Sequence, residues 1–373
     1  MADDETFVFG SDAASLTELE FWKAAGKSGD LVELRAFLAA FPASPFADLA
    51  RLRIARAEAQ ARPVAAAPDV EGTPSDEHAG YRHVVTRGVT VDSTGLLVSE
   101  RRVEAAVERL TLASGTALDI VAIPAGTFSM GASNAEALSA RRELQHAAAA
   151  TALRWIQEEQ PRRSVTVSAF RIGVTPVTQG QWGAVALMPK ARIDLEVNPS
   201  EFSGRDLPVE RVSWYDATEF CERLSAASGR TVRLPSEAEW EYACRAGTES
   251  PFAFGDTLTP ELATYLCSDK FASGPRGDAA GRTTPVGASG LSNDFGIIDT
   301  HGNVWEWCRD WHARDTYSTS AIVDPWGPCS GTARVRRGGS WRTPPVFCRS
   351  AARFSAPPGF RHSDTGFRIV VES

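Results

Sequence analysis

The chain has 373 residues, 43% of them hydrophobic and 23% charged, with a net charge of −8. At about 150 residues per domain this implies two or three globular domains and excludes a wholly disordered chain. No run approaches the roughly 18–20 apolar residues of a membrane span, and the net negative charge with no Lys/Arg block argues against nucleic-acid binding by phosphate neutralisation.

The N-terminus (MADDETFVFG) is acidic and lacks a basic segment followed by an apolar one, so a cytoplasmic location is expected. Apolar spacing near 3.6 residues in SLTELEFWKAAGKSG and LVELRAFLAAF, followed by FADLARLRIARAEAQA, predicts a small three-helix domain over 1–62. A helical module without chemistry-bearing residues suits an effector or assembly partner. Residues 63–80 are rich in Pro, Ala and acids and read as a linker.

From residue 81 the pattern changes to short β-prone runs broken by glycine: HVVTRGVTV, LLVSE and LDIVAIP, then SVTVSAFRIG, which alternates like one half-buried strand. The Ala-rich stretch 134–159 predicts an inserted helix. Ser213 with Asp216, and Ser236 with Glu239, open two further helices as capping motifs, and each ends near a glycine. After Gly247 periodicity disappears, which predicts an irregular α+β domain over 81–373 held by aromatic packing. The six cysteines (Cys221, Cys244, Cys267, Cys308, Cys329, Cys348) include no CxxC pair, so a disulfide scaffold and a zinc site are both unexpected.

Six segments together resemble the formylglycine-generating enzyme (sulfatase-modifying factor) family: IPAGTFSMG, FRIGVTPVTQGQW, LPVERVSWYDATEFCERLS, GRTVRLPSEAEWEYACRAGT, GIIDTHGNVWEWCRDW and RVRRGGSW…GFR. They stand in family order over about 250 residues, and the resemblance implies a C-type-lectin-like fold with little regular secondary structure. Enzymes of the family hold copper(I) between two cysteines placed after a Gly-Gly-Ser motif. Counted from Gly338-Gly339-Ser340, those positions are Thr343 and Cys348. A threonine hydroxyl is a poor ligand for a soft ion, so oxygenase activity is not expected. The related sulfoxide synthases use an HxxxH pair, which this chain lacks.

The resemblance also implies a structural Ca²⁺ loop, with carboxylates from Asp299 and Glu306 and backbone carbonyls from Gly302 and Val304, the hard oxygen donors Ca²⁺ prefers. The family's second calcium site needs an Asn near Thr264 and is not expected.

The C-terminal frame GGSW, Arg349-Ser350-Ala351, Arg353, Pro358, Arg361 and Gly366-Phe367-Arg368 resembles the variable region of diversity-generating retroelement proteins. There, adenine mutagenesis turns AAC codons into NNC, which cannot encode Lys, Glu, Gln, Met or Trp. None of these five occurs between Arg342 and Arg368. Lysine is scarce along the whole chain, so the joint absence of the other four carries the weight. The resemblance places a variable region at 342–364, with Arg342, Thr343, Pro344, Val346, Phe347, Ala352, Phe354, Ser355, Ala356, Pro357, Phe360, His362, Ser363 and Asp364 as ligand-binding positions. Phe347, Phe354 and Phe360 would be the apolar anchors, and the frame arginines would bond loop carbonyls. The expected function is non-enzymatic binding of a protein or other macromolecular ligand through a hypervariable surface. The alternative is a copper-dependent oxygenase making formylglycine from sulfatase cysteines.

Overall fold

The computed structural model describes residues 31–42, 47, 50, 51, 54, 81–112, 114–144, 150–319 and 322–372. The chain divides into two compact units, Met1–Ala67 and Pro68–Ser373. In the first, helix α1 (Leu31–Ala40) buries Leu34 and Phe37 with Ala50, and Phe37 meets Phe41 at 5.4 Å between ring centres. Most of the expected three-helix pattern and the whole of the expected linker lie outside the described residues.

The second unit begins with β1 (Tyr81–Val91), β2 (Leu97–Thr111), β3 (Ala117–Ile123) and β4 (Gly126–Met130). The Ala-rich insert holds two helices, α2 (Asn134–Glu143) and α3 (Ala150–Glu158). The single alternating strand expected from SVTVSAFRIG is instead two, β5 (Arg163–Val167) and β6 (Phe170–Gly173). The chain leaves one sheet for another at Ser168, whose backbone N–H and hydroxyl both donate to Asp324 at 2.7 Å. Helix α4 (Gln179–Ala186) opens with a Thr178/Gln181 capping box, a third such box beyond the two expected.

Helices α5 (Trp214–Ser228) and α6 (Glu237–Arg245) flank the short β7 (Val232–Arg233), each opened by the predicted capping box. Gly229 closes α5 in the left-handed region. Then follow β8 (Trp305–Trp311), a single helical turn α7 (Thr316–Thr319) and β9 (Arg334–Arg337). The C-terminal segment contributes a 3₁₀ turn (Pro345–Phe347), β10 (Arg353–Ala356), β11 (Thr365–Gly366) and β12 (Val370–Val371).

The strands form a six-stranded sheet ordered β1-β2-β3-β6-β12-β7, a four-stranded sheet β10-β9-β8-β11 and the hairpin β4-β5. The C-terminal segment therefore joins two sheets, and the end of the chain is stitched between β6 and the edge strand β7 of the larger one. Trp182, Phe220, Trp307 and Phe367 belong to one core cluster, where Trp182 stacks on Phe220 at 5.6 Å and Phe367 meets both edge-on. Aromatic area thus supplies much of the burial that long elements would supply elsewhere. Among the described residues no helix is long and apolar enough to cross a membrane.

Candidate functional site

The C-terminal segment is held by arginines, and their partners differ from the expected loop carbonyls. Each of the four frame arginines faces a carboxylate. Arg349 forks onto Glu159 at 2.8 Å through both terminal nitrogens and also reaches Glu136 at 2.9 Å. Arg353 forks onto Glu237 at 2.8 Å, Arg361 onto Asp216 at 2.8 Å, and Arg368 onto Glu306 at 2.6 and 2.7 Å. Carbonyls serve as secondary acceptors, such as Val346 O for Arg349 and Gly173 O for Arg368. Planar guanidinium forks fix both position and orientation, so the loops between them are positioned from below.

Two of these carboxylates come from the insert. Glu136 lies on α2, and Glu159 follows α3. Trp155 of α3 also packs on Phe354 at 4.0 Å and meets Phe347 edge-on at 5.8 Å. The insert is therefore part of the platform beneath residues 342–364, a role that its composition did not reveal.

The fourteen expected binding positions divide by burial. Thr343, Val346, Phe347, Ala352, Ala356 and Ser363 are buried, so on this backbone they add little to the surface. Phe347 is only 8% exposed, because the 3₁₀ turn points it into the same cluster as Trp305 and Cys348. The expected set of three surface phenylalanines is thus corrected to two half-buried ones, Phe354 and Phe360. Arg342 and Pro357 are exposed, while Pro344, Ser355, His362 and Asp364 are half-buried. These eight remain available at the surface. Phe360 stacks parallel to His362 at 5.9 Å, and His362 Nε2 lies 3.2 Å from Arg342 Nη1.

Residues outside the expected set extend this face. Trp341 meets Phe202 edge-on at 5.6 Å, with the guanidinium of Arg342 over Trp341 and that of Arg282 over Phe202. Beneath it, Arg336 lies over the rings of Trp305, Trp307 and Phe360 at 4.9–5.7 Å. The R-V-R-R strand could have indicated Arg336, since period 2 puts Arg334 and Arg336 on one face and Val335 and Arg337 on the other.

The position of the family's copper pair has a different chemistry here. Thr343 is buried, and its hydroxyl lies 2.6 Å from that of Ser340. Burial pushes the Cys348 thiol above its ordinary pKa, away from the thiolate a metal requires. Gly339 permits the close packing, because a Cβ there would meet Cys348 Sγ at 2.3 Å. One buried thiol beside a bonded hydroxyl does not fit a linear copper(I) centre. Nearby, His301 Nε2 accepts from the Ala253 N–H at 3.0 Å while Nδ1 lies 2.8 Å from Cys348 O. That pattern puts a proton on Nδ1, with the ring serving the backbone.

The expected calcium loop brings its two carboxylates near each other. Burial, with the Glu306 charge adding to it, pushes Asp299 up to about 6, and its Oδ2 accepts from the Gly287 N–H at 2.8 Å. Glu306 is enclosed and accepts from Trp240 Nε1 at 2.7 Å as well as from the Arg368 fork. Both oxygens of Glu306 are thus taken by the Arg368 fork, and Asp299 Oδ2 by a backbone N–H, so a hard cation would have to share these carboxylates with their present partners. Among the described residues no cluster of three or more His, Cys, Asp or Glu side chains is assembled for a metal.

Residues 108–373 match the family described as sulfatase-modifying factor enzyme 1-like domain. The formylglycine-generating enzyme of Streptomyces coelicolor is 42% identical over 183 residues, covering 47% of this chain and 56% of that protein. That of Mus musculus is 38% identical over 172 residues, covering 44% of each. The chain thus spans about half the length of the curated relatives it matches. Among solved structures, Treponema denticola variable protein 1 superposes with a TM-score of 0.56 at 26% identity, over 72% of this chain and 99% of that one. PvdO from Pseudomonas aeruginosa superposes with a TM-score of 0.55 at 26% identity, over 69% and 95%.

Proposed function

Because the chain belongs to the sulfatase-modifying factor enzyme 1-like family and has its C-type-lectin-like α+β fold, we propose that it uses that fold for binding rather than for catalysis. It presents a surface built from the variable positions that reach the surface, Arg342, Pro344, Phe354, Ser355, Pro357, Phe360, His362 and Asp364, to a protein or other macromolecular ligand. One observation carries this reading: Thr343 stands where the family's enzymes have a copper thiolate, with its hydroxyl committed to Ser340. The superposition on a variable protein of Treponema denticola supports it from the side of the fold.

Recognition here depends on order established before the ligand arrives. The frame arginines fix both ends of each loop, so little backbone entropy remains to be lost on binding. Half-buried aromatic rings beside arginines form the kind of patch that dominates binding energy at interfaces.

The enzyme alternative rests on the names of the curated relatives, and a direct assay separates the two. After incubation with copper(I), oxygen and a sulfatase peptide bearing the target cysteine, no formylglycine is expected by mass spectrometry. Formylglycine that disappears in Cys348→Ser would establish the oxygenase instead.

A structural Ca²⁺ held by Asp299, Glu306 and the carbonyls of Gly302 and Val304 belongs to the same proposal. Bound there, the ion would fix a loop whose backbone turns left-handed at Asp299 and Asn303.

A further inference from the structure

Seven arginines are buried among the described residues: Arg223, Arg245, Arg336, Arg337, Arg349, Arg353 and Arg368. Six of them pair with a carboxylate. Arg336 is the exception. Only 8% exposed, it makes one hydrogen bond, from Nη1 to the Thr365 hydroxyl at 2.7 Å, and its enclosed Nε has no acceptor. Burial lowers its pKa to about 10 against the weaker opposing pull of Asp364. A core that neutralises its other buried guanidinium groups leaves this one open directly beneath the variable residues.

Its surroundings define a subsite. In the register of the smaller sheet Arg336 stands opposite Phe354 on one side and Trp307 on the other. The ring of Phe360 covers it at 4.9 Å. The anion whose charge acts on it, Asp364, is already engaged: the Thr365 hydroxyl donates to it at 2.9 Å, and His362 Nδ1 stands 2.9 Å away. A second cation, Arg342, flanks the same patch through His362. Phe354, Phe360 and Asp364 are all variable positions, so their identity would decide how much of the charge is offered to a ligand.

We propose that Arg336 is the fixed anchor of the binding surface, and that it receives a carboxylate from an acidic segment of a protein ligand. This rests on the reading of 342–364 as a ligand surface. The Nη2 of Arg336, which has no partner among the described residues and is not fully enclosed, can donate a charge-assisted hydrogen bond to such a carboxylate. The aromatic rings around it exclude water and strengthen the pair.

The test uses the full chain and a fluorescein-labelled tetraglutamate peptide, followed by anisotropy, with tetraglutamine and a phosphoserine peptide as controls. Saturable binding of tetraglutamate is expected, with no binding of tetraglutamine. Arg336→Gln should weaken binding by about tenfold or more, the loss of one charged hydrogen-bonded pair. Asp364→Asn should tighten binding by removing the competing anion, and this variant keeps the test decisive if Arg336→Gln folds poorly. Equal affinities in wild type, Arg336→Gln and Asp364→Asn would overturn the proposal. So would preference for the phosphoserine peptide over tetraglutamate. If tetraglutamate binds as stated but the gene lies in no retroelement, the variable-protein reading falls and the anchor stands. If the retroelement is present and both variants bind like wild type, only the anchor falls.

Discussion

At the scale of single residues, the C-terminal region depends on forked arginine–carboxylate pairs whose strength is set by burial. Arg349 is fully enclosed, whereas the Arg361 side chain is 56% exposed. Arg349→Met would leave Glu136 and Glu159 buried without a cation, at a cost of about 3–5 kcal/mol. Arg361→Met should cost under about 1 kcal/mol, as exposed pairs do. Urea unfolding of the two variants measures the difference, and equal losses would contradict this account. Asp310 gives a pH-dependent counterpart. Burial, with Glu237 nearby, raises its carboxyl to about 7. Its raised pKa favours the protonated folded form, so its contribution to stability is complete below about 4 and is lost as pH rises through 7. Melting temperatures from pH 4 to 8 should show wild type losing stability relative to Asp310→Asn over that window. Parallel profiles would show that Asp310 does not titrate as stated.

At the scale of elements, the parts most legible in the sequence were those with local causes. The capping boxes at Ser213 and Ser236 open α5 and α6, because a side chain three residues on can close them without help from the rest of the fold. Phe347 was misread because its orientation depends on a three-residue turn packing against Trp155, a contact nearly 200 positions apart in sequence. The break between β5 and β6 escaped the alternation pattern for a similar reason: it is fixed by Asp324, far along the chain. The loop from Asp299 to Glu306 belongs to this scale as well. If Ca²⁺ orders it, chelation should lower the melting temperature by several degrees, on the order of 1 kcal/mol or more for a domain of this size, and added Ca²⁺ should restore it. No shift on chelation would remove the ion from the account.

At the scale of the whole molecule, six motifs in order were enough to identify the lectin-like fold, because they encode its aromatic and arginine framework. Trp182, Trp240, Trp307 and Arg368 are all fully enclosed. The lack of a carboxylate fork on Arg336 was not legible, since a sequence shows an arginine but not what stands beside it. The proposed function rests on a contrast between frame and surface: forked arginines hold a backbone on which a small set of surface positions would vary. That contrast has a genetic consequence, and sequencing the DNA around this gene tests it most directly. The account predicts a reverse-transcriptase gene and a near-identical repeat of the segment encoding residues 342–368, with differences confined to adenines of the repeat. A locus with neither would contradict it.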